Sequence, residues 1–183
     1  MNHWYLVASL PVLLPGAEPP LAEASFRALC GEHLRDADLR ELDLVLAGDA
    51  AASSFARAWQ RASLRIADEV AVLRAARLGI DPAPWRLDIG VPDATLAAGV
   101  RDAMQQPDPR AREHALDALR WSLLDELAAP TPFGLPAVLA YGLKLQIAAR
   151  HAARTEDAGR QRLGGHLAAI LAAFDRLAQQ DPA

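Results

Sequence analysis

The stretch ALDALRWSLLDELAAPTPFGLPAVLAYGLKLQIAAR, residues 115–150, predicts the fold of this chain. Four leucines in its first part recur at helical spacing: Leu116, Leu119, Leu123 and Leu127. That spacing indicates a helix that buries one face. The run APTPFGLP, residues 129–136, breaks the pattern, and residues 135–149 are then apolar almost all round, apart from Lys144 and Gln146. A helix that is apolar on every side is typical of a protein's centre, so we expect the second segment to form a central helix.

Most of the chain after residue 20 has the same helical spacing, and strand-like alternation is nearly absent. The sequence therefore predicts an all-α fold of about seven helices, in one compact or two-lobed helical bundle, with a single domain over residues 1–183. The predicted helices cover about 20–35, 36–48, 53–78, 93–106, 109–127, 136–154 and 156–180. The loop 79–92, GIDPAPWRLDIGVP, carries three prolines and two glycines, and it is the candidate lobe boundary.

Residue types at the predicted helix ends support these bounds. Residues suited to N-caps precede four of the helices: Asp36 or Asp38, Ser53 or Ser54, Asp93, and Asp108 followed by Pro109. Gly48 and Gly79 are suited to C-terminal stops. The last helix has the apolar stripe Leu163, Leu167, Ile170, Phe174 and Leu177. We expect Gly164 and Gly165 within it to permit close helix packing.

The N-terminal stretch NHWYLVASLPVLLPGAEPP, residues 2–20, does not have the features of a secretory signal, because no basic residue precedes Arg27. Pro11 divides its apolar run, which is much shorter than the roughly 20 residues of a membrane-spanning helix. We expect residues 4–10 to be a short extended segment and residues 11–20 to be a proline-pinned connection.

Composition excludes some classes of function. The formal charge is −4, whereas nucleic-acid binding requires a basic face, so no nucleic-acid partner is expected. Cys30 is the single cysteine, which rules out an internal disulfide and fits a reducing compartment such as the cytoplasm. No apolar run is long enough to span a bilayer, so any membrane contact is expected through a protein partner.

Motifs for catalysis or cofactor binding are absent from the sequence. The five histidines, at 3, 33, 114, 151 and 166, form no metal-ligand spacing, and no GxSxG, GxxxxGK or GxGxxG run occurs. Cys30 lies in an apolar stripe and is interpreted as a buried structural thiol. We therefore expect no catalytic, cofactor-binding or metal-binding residues in this chain.

Two features of residues 115–150 leave alternatives open. Trp121 lies off the leucine seam and, with Leu124, makes a second apolar face: the helix is either buried on two sides or offers a docking surface. Lys144 can pair with a carboxylate or extend to the surface, and Tyr141 can bond a polar partner through its hydroxyl. The candidate partner contacts are Trp121, Tyr141, Lys144, Arg77 and Arg150.

Four segments resemble a small bacterial family known chiefly from operons that encode V/A-type (vacuolar-type) ATPases: WYLVASLPVL (4–13), SSFARAWQRASLRIADEVAVLRAARLG (53–79), residues 112–152, and EDAGRQRLGGHL (156–167). The DALxWxxLDEL pattern matches Asp117 to Leu127, and the PFS…LLAYLLKLQILxRW block matches Pro132 to Arg150. This chain departs from the family at Gly134, where serine is usual, and at His151, where an aromatic residue is common.

The resemblance implies a non-catalytic structural or assembly component of a rotary ATPase, with stalk and membrane-ring subunits as partners. It suggests a reduced counterpart of the socket subunit (C or d), which seats the central stalk on the membrane ring. Localisation would be cytoplasmic and peripheral to the inner membrane. Because the family keeps the apolar start, it also implies that four residues pack against the helices: Trp4, Tyr5, Leu6 and Leu10.

Two alternatives to this function stay open. One is a free-standing cytosolic helical adaptor or assembly factor for another complex. The other is an enzyme or small-ligand binder, which a pocket with clustered ionisable groups would favour.

Overall fold

The computed structural model describes residues 3–87, 89–154 and 156–180, and these residues form an all-helical fold without strands. Eight α-helices are present in this part of the chain: α1 Trp4–Ser9, α2 Glu23–His33, α3 Asp36–Ala47, α4 Ser54–Leu78, α5 Ala94–Met104, α6 Pro109–Ala128, α7 Leu135–Ala152 and α8 Glu156–Gln180. A short 3-10 turn, Ala83–Trp85, lies between α4 and α5. The predicted all-α helical bundle is therefore confirmed.

The helix ends follow the predicted signals at most positions. Ser53, Asp93 and Asp108 each accept, through a side-chain oxygen, a hydrogen bond from the backbone amide three residues later. Gly48 and Gly79 end α3 and α4 in the left-handed region, with φ of 79° and 66°. Glycine adopts this conformation without steric cost, which explains why both helices stop there.

One predicted helix start and one predicted N-cap are wrong. Helix α2 begins at Glu23, not directly after Pro20, and its N-cap is Ala22. Helix α3 includes both Asp36 and Asp38, and its N-cap is Arg35, whose side chain makes no capping bond. The two aspartates still favour the helix, because negative charge in the first turn complements the helix dipole.

The larger core cluster surrounds α7, which is the central helix that the sequence predicted. No residue from 135 to 149 is exposed. Helices α2, α3 and α6 pack on α7, and side chains of α1 and of the start of α4 complete the cluster. Its fully buried members include Leu6, Phe26, Cys30, Leu42, Leu124, Val138, Leu139 and Leu145. Gln146 is accommodated because its amide donates to the carbonyl of Leu46 at 3.1 Å.

The smaller core cluster lies between α4, α5 and α6. Its buried members are Ile66, Val70, Leu96, Val100, Ala103, Met104 and Leu116. Leu119 and Leu123 of α6 pack against it, whereas Trp121 and Leu124 of the same helix belong to the larger cluster. Helix α6 is therefore buried on two sides, and this settles the alternatives for Trp121 in favour of a buried position.

The N-terminal stretch differs from the prediction. Residues 4–9 form helix α1, where an extended segment was expected. Leu6 is 1% exposed, and half-buried Leu10 packs against the larger cluster, but Trp4 and Tyr5 are each 60% exposed. Leu6 faces the core from α1, and Leu10 follows directly after this helix. Trp4 faces outward, whereas the ring of Tyr5 packs edge-on against His33 of α2, with centroids 5.3 Å apart.

The loop 79–92 is tied to α4 by a buried carboxylate. Asp68 accepts the backbone amide of Leu87 at 2.8 Å and a guanidinium N–H of Arg86 at 3.3 Å. The loop joins α4 and α5, which pack on each other in the smaller cluster. Helices α4 and α6 contribute residues to both clusters. The two clusters therefore meet at these helices and not at the loop 79–92, the candidate lobe boundary.

Helix α8 extends from the bundle with its apolar side uncovered. Leu163, Leu167 and Ile170, here called the α8 stripe, are each more than half exposed. A side chain built at Gly164 or Gly165 would meet no atom within 4 Å, so the predicted close packing at these glycines is wrong. The side chains of Phe174 and Leu177, predicted to continue the stripe, lie outside the described residues. Among the described helices, none combines the length and apolar character needed to cross a membrane.

Candidate functional site

The antiparallel pair α6 and α7 carries four of the five candidate contact residues: Trp121, Tyr141, Lys144 and Arg150. A tight connection over residues 129–134 joins the two helices. The amide of Thr131 donates to the carbonyl of Ala128, and that of Gly134 donates to the carbonyl of Thr131. The tight connection therefore places these four candidates on two neighbouring helices.

Trp121 and Lys144 contact each other across the α6–α7 interface. The ammonium of Lys144 lies 5.1 Å from the centroid of the Trp121 ring and pairs with the carboxylate of Asp125. A cation over an indole face is attracted by the ring quadrupole, and more strongly where water is excluded. Lys144 therefore takes the first predicted alternative, a carboxylate partner, and its role in this chain is to join two helices.

Tyr141 fixes the N-terminal segment to α7. Its hydroxyl donates to the carbonyl of Pro11 at 2.9 Å, and its ring lies 5.2 Å from that of Phe26. Burial raises the pKa of Tyr141 to about 12, so the hydroxyl stays a donor at physiological pH. The predicted polar partner of the tyrosine is therefore a backbone carbonyl of this chain.

An open groove of about 580 Å³ lies beside these residues, between the N-terminal segment and the α6–α7 pair. Its walls include Val7, Leu13 and Ala140, with Tyr141 and Lys144 on one side. Of the predicted contact residues, Tyr141 and Lys144 line this groove.

Arg77 lies elsewhere, in the last turn of α4. Its guanidinium donates to the carbonyl of Met104, which is the last residue of α5. Carbonyls at a helix C-terminus have no partner within the helix, and a cation satisfies them well. Arg77 therefore links the ends of α4 and α5.

Arg150 belongs to a buried ionic group, here called the Asp117 cluster, which sequence reasoning did not find. The side chain of Asp117 is 1% exposed, and its Oδ1 accepts from Arg120 at 2.6 Å and from Arg150 at 3.3 Å. Its Oδ2 lies 2.7 Å from Nε2 of His151. Burial raises the pKa of Asp117, but the hydrogen bonds from His151 and Arg120 outweigh burial, so the pKa lies below its ordinary value.

A second imidazole borders the Asp117 cluster. The ring of His114 packs edge-on against that of His151, with centroids 4.3 Å apart. Burial and the neighbouring charge of His151 lower the pKa of His114. Within the described ranges, no three His, Cys, Asp or Glu side chains are arranged to hold a metal ion. The cluster is therefore an ionic contact between α6 and α7 with an imidazole pair at its edge.

One sequence signal could have revealed Asp117. It stands four residues before Trp121 and seven before Leu124, so all three share one face of α6. A lone carboxylate on a face with two large apolar residues indicates a buried, paired charge. Its partner His151 lies 34 residues away on α7, and no local spacing predicts that contact.

Comparisons with protein families, with curated proteins and with solved structures find no match for this chain. The resemblance to a family encoded in V/A-type ATPase operons therefore stays a prediction from the sequence.

Proposed function

We propose that this chain is a non-catalytic structural or assembly component of a bacterial V/A-type rotary ATPase. It acts at the junction of the central stalk and the membrane ring, supports ATP-coupled ion transport, and is held on the cytoplasmic side of the inner membrane through other subunits. The observation that carries the proposal is the α8 stripe, an apolar helix face whose three described side chains are each more than half exposed. The family resemblance supplies the identity of the partner.

The spacing of the α8 stripe favours a helical partner. Leu163, Leu167 and Ile170 follow one another at intervals of four and three residues, and Phe174 and Leu177 continue these intervals in the sequence. Alternating intervals of three and four define the seam of a coiled coil, in which one helix packs along another. Each large apolar side chain that such a partner covers contributes about 1.5–3 kcal/mol.

The charges of α8 favour a protein partner over a lipid surface. The helix carries three acidic and three basic residues: Glu156, Asp157, Asp175, Arg160, Arg162 and Arg176. Helices that lie on anionic membranes carry an excess of Lys and Arg on their polar face. With balanced charges, α8 gains little from lipid headgroups, and its apolar face is better matched by another helix.

The internal contacts of the predicted residues support a scaffold role for the bundle. Trp121, Tyr141, Lys144 and Arg77 all bind groups of this chain, and Arg150 bonds Asp117. In this proposal the α6–α7 pair gives the chain its shape, and α8 provides the contact with the ATPase. Any ATP hydrolysis belongs to the other subunits.

The proposal is tested by purifying the tagged chain from its native membranes in mild detergent and identifying the chains that accompany it. Leu167→Asp places a charge in the stripe, and Ala172→Asp places the same charge on another face of α8. Both positions are exposed, so neither substitution disturbs the bundle. We expect head, stalk and ring subunits in fixed ratio with the unmodified chain and with Ala172→Asp, and their loss with Leu167→Asp.

The alternative function, a free-standing helical adaptor, rests on the same stripe and predicts a different result. In that case the stripe binds another complex, and the ATPase migrates intact without this chain. Recovery of the chain alone, or of a second copy as its sole partner, would overturn the ATPase assignment.

A further inference from the structure

An open groove of about 450 Å³ lies between α4, the 3-10 turn and α6. Its floor is apolar and includes Ile66, Val70 and Leu116, which belong to the smaller core cluster. Ile80 and Trp85, from the loop 79–92, also line the groove. Pockets for small molecules commonly have a volume in this range and a mostly apolar lining. The proposed ATPase role does not use this groove.

The loop that supplies Ile80 and Trp85 is held at both ends. The amide of Ile80 donates to the carbonyl of Ala75 at 3.1 Å, directly after the end of α4. Two residues after Trp85, the amide of Leu87 donates at 2.8 Å to the carboxylate of Asp68, which is buried. Trp85 is nevertheless 55% exposed, so these contacts fix a large aromatic residue at the surface. A wall that is ordered before a ligand arrives loses less conformational freedom on binding.

Arg74 is the uncommitted charge on the lining of this groove. No described residue accepts a hydrogen bond from its guanidinium or forms an ion pair with it. The other charged residues of the lining are paired: Nη1 of Arg120 lies 2.6 Å from Oδ1 of Asp117, and Oε2 of Glu113 lies 4.0 Å from Nη2 of Arg154. The groove therefore combines an apolar floor with one surplus positive charge.

We propose that this groove binds a small anion with an apolar body and one carboxylate, such as a medium-chain fatty acid. The apolar body lies over the floor and against Trp85, and the carboxylate pairs with the guanidinium of Arg74. A planar guanidinium matches a carboxylate through two parallel hydrogen bonds. Burial of the body supplies most of the affinity, because each methylene group removed from water strengthens binding about fourfold.

Other ligand classes fit this groove less well. A cation would be repelled by Arg74. A metal ion would need a set of ligands, and the described residues contain no group of three His, Cys, Asp or Glu suited to hold one. A phosphate monoester carries a second negative charge, which Glu113 on the same lining opposes. A neutral apolar molecule gains only the contacts with the floor and with Trp85, so it serves as the control.

The test titrates the full ¹⁵N-labelled chain with octanoate, and with octan-1-ol as a neutral control of the same chain length. The four tryptophans give four indole N–H resonances, and that of Trp85 is identified by its loss in Trp85→Phe. We expect octanoate to move this resonance saturably and octan-1-ol to bind about fivefold more weakly, as for one partly exposed ion pair. Equal affinities, no saturable binding of octanoate, or movement confined to another tryptophan would overturn the proposal.

Two variants test the ion pair. Arg74→Gln removes the charge and should lower the octanoate affinity about fivefold while leaving that of octan-1-ol unchanged. Arg61→Gln, the matched control, removes the same charge from a position on α4 that does not line the groove, and both affinities should stay unchanged. Both arginines are exposed, so both variants should keep the fold. An unchanged octanoate affinity in Arg74→Gln, or an equal loss in Arg61→Gln, would show that Arg74 does not hold the carboxylate and overturn the proposal.

Discussion

Nε2 of His151 lies 2.7 Å from Oδ2 of Asp117, which joins the C-terminal end of α7 to the first half of α6. The same carboxylate also accepts hydrogen bonds from Arg120 and Arg150. One buried side chain thus holds an imidazole from α7 and guanidinium groups from both helices. The stability of the α6–α7 pair depends on the charge of this carboxylate.

Asp117→Asn removes that charge without changing the side chain's size. Charged hydrogen bonds are lost around a buried position, so the free energy of unfolding should fall by about 2–4 kcal/mol at pH 7. Asp43→Asn breaks the exposed pair with Arg27 and should lower the free energy of unfolding much less, because solvent screens an exposed ion pair. Chemical denaturation of both variants measures the difference, and similar losses would contradict a special role for Asp117.

The lowered pKa of Asp117 also predicts a pH dependence. The folded state binds a proton at this carboxyl less readily than the unfolded chain, in which the carboxyl has its ordinary pKa of 3.8. The stabilisation that ionised Asp117 gives the fold is therefore complete above the pKa of the unfolded chain. It is lost as the pH falls through the lower pKa of the folded state. Melting temperatures between pH 6 and pH 2.5 should decline more steeply below about pH 4 in the unmodified chain than in Asp117→Asn.

Gly142 and Gly164 form a matched pair for testing packing. A Cβ at Gly142 would lie 2.9 Å from Cε1 of Phe26 and 3.0 Å from Cδ2 of Leu46, whereas a Cβ at Gly164 would meet nothing within 4 Å. Gly142→Ala should destabilise the fold by about 1–2 kcal/mol, because overpacking outweighs the gain of about 1 kcal/mol in helix propensity. Gly164→Ala should show only that gain, as higher helicity by circular dichroism. A stabilised Gly142→Ala variant would contradict the close contact of α7 with α2 and α3.

Leu6 lies on the buried side of α1, and Trp4 lies on its exposed side. Leu6 is fully buried, so Leu6→Ala should cost about 2–4 kcal/mol. Trp4 is mainly exposed, and Trp4→Ala should change the stability by no more than about 0.5 kcal/mol. Thermal melts of the two variants test the placement of the helix. A larger loss for Trp4→Ala would support the sequence-based expectation that this tryptophan packs inward.

Cys30 should be unreactive in the folded protein. Its side chain is fully buried, and burial raises its pKa to about 12, so almost no thiolate forms at pH 8. A thiol reagent at pH 8 should modify the chain only after denaturant is added, and then at one site. Rapid modification of the native chain would show that α2 opens from the larger cluster.

The sequence predicted the helices well where the signal was local. Ser53, Asp93 and Asp108 act as caps, and Gly48 and Gly79 end helices, because these effects depend on residues within one turn. Helix α1 was missed because its sequence carries no such local signal. It has only six residues, and its stability depends on the distant contacts of Leu6 and not on a local signal.

The candidate site was less predictable, because its contacts are tertiary. Spacing placed Trp121 on one predicted helix and Tyr141 and Lys144 on the next. It did not show that Lys144 pairs with Asp125 or that Tyr141 bonds Pro11. Periodicity also predicted the stripe of α8. It could not reveal that the stripe is uncovered, since a buried and an unpartnered helix face have the same spacing.

Helix α6 contributes side chains to both core clusters, and this affects the cooperativity of unfolding. Neither cluster can come apart without stripping apolar contacts from α6, and a displaced α6 no longer completes the other cluster. The bundle α1–α7 should therefore melt in a single transition although its core is divided. In native-state hydrogen exchange, amides in the middle of α6 should open only with global unfolding, while those of α8 exchange through local fraying.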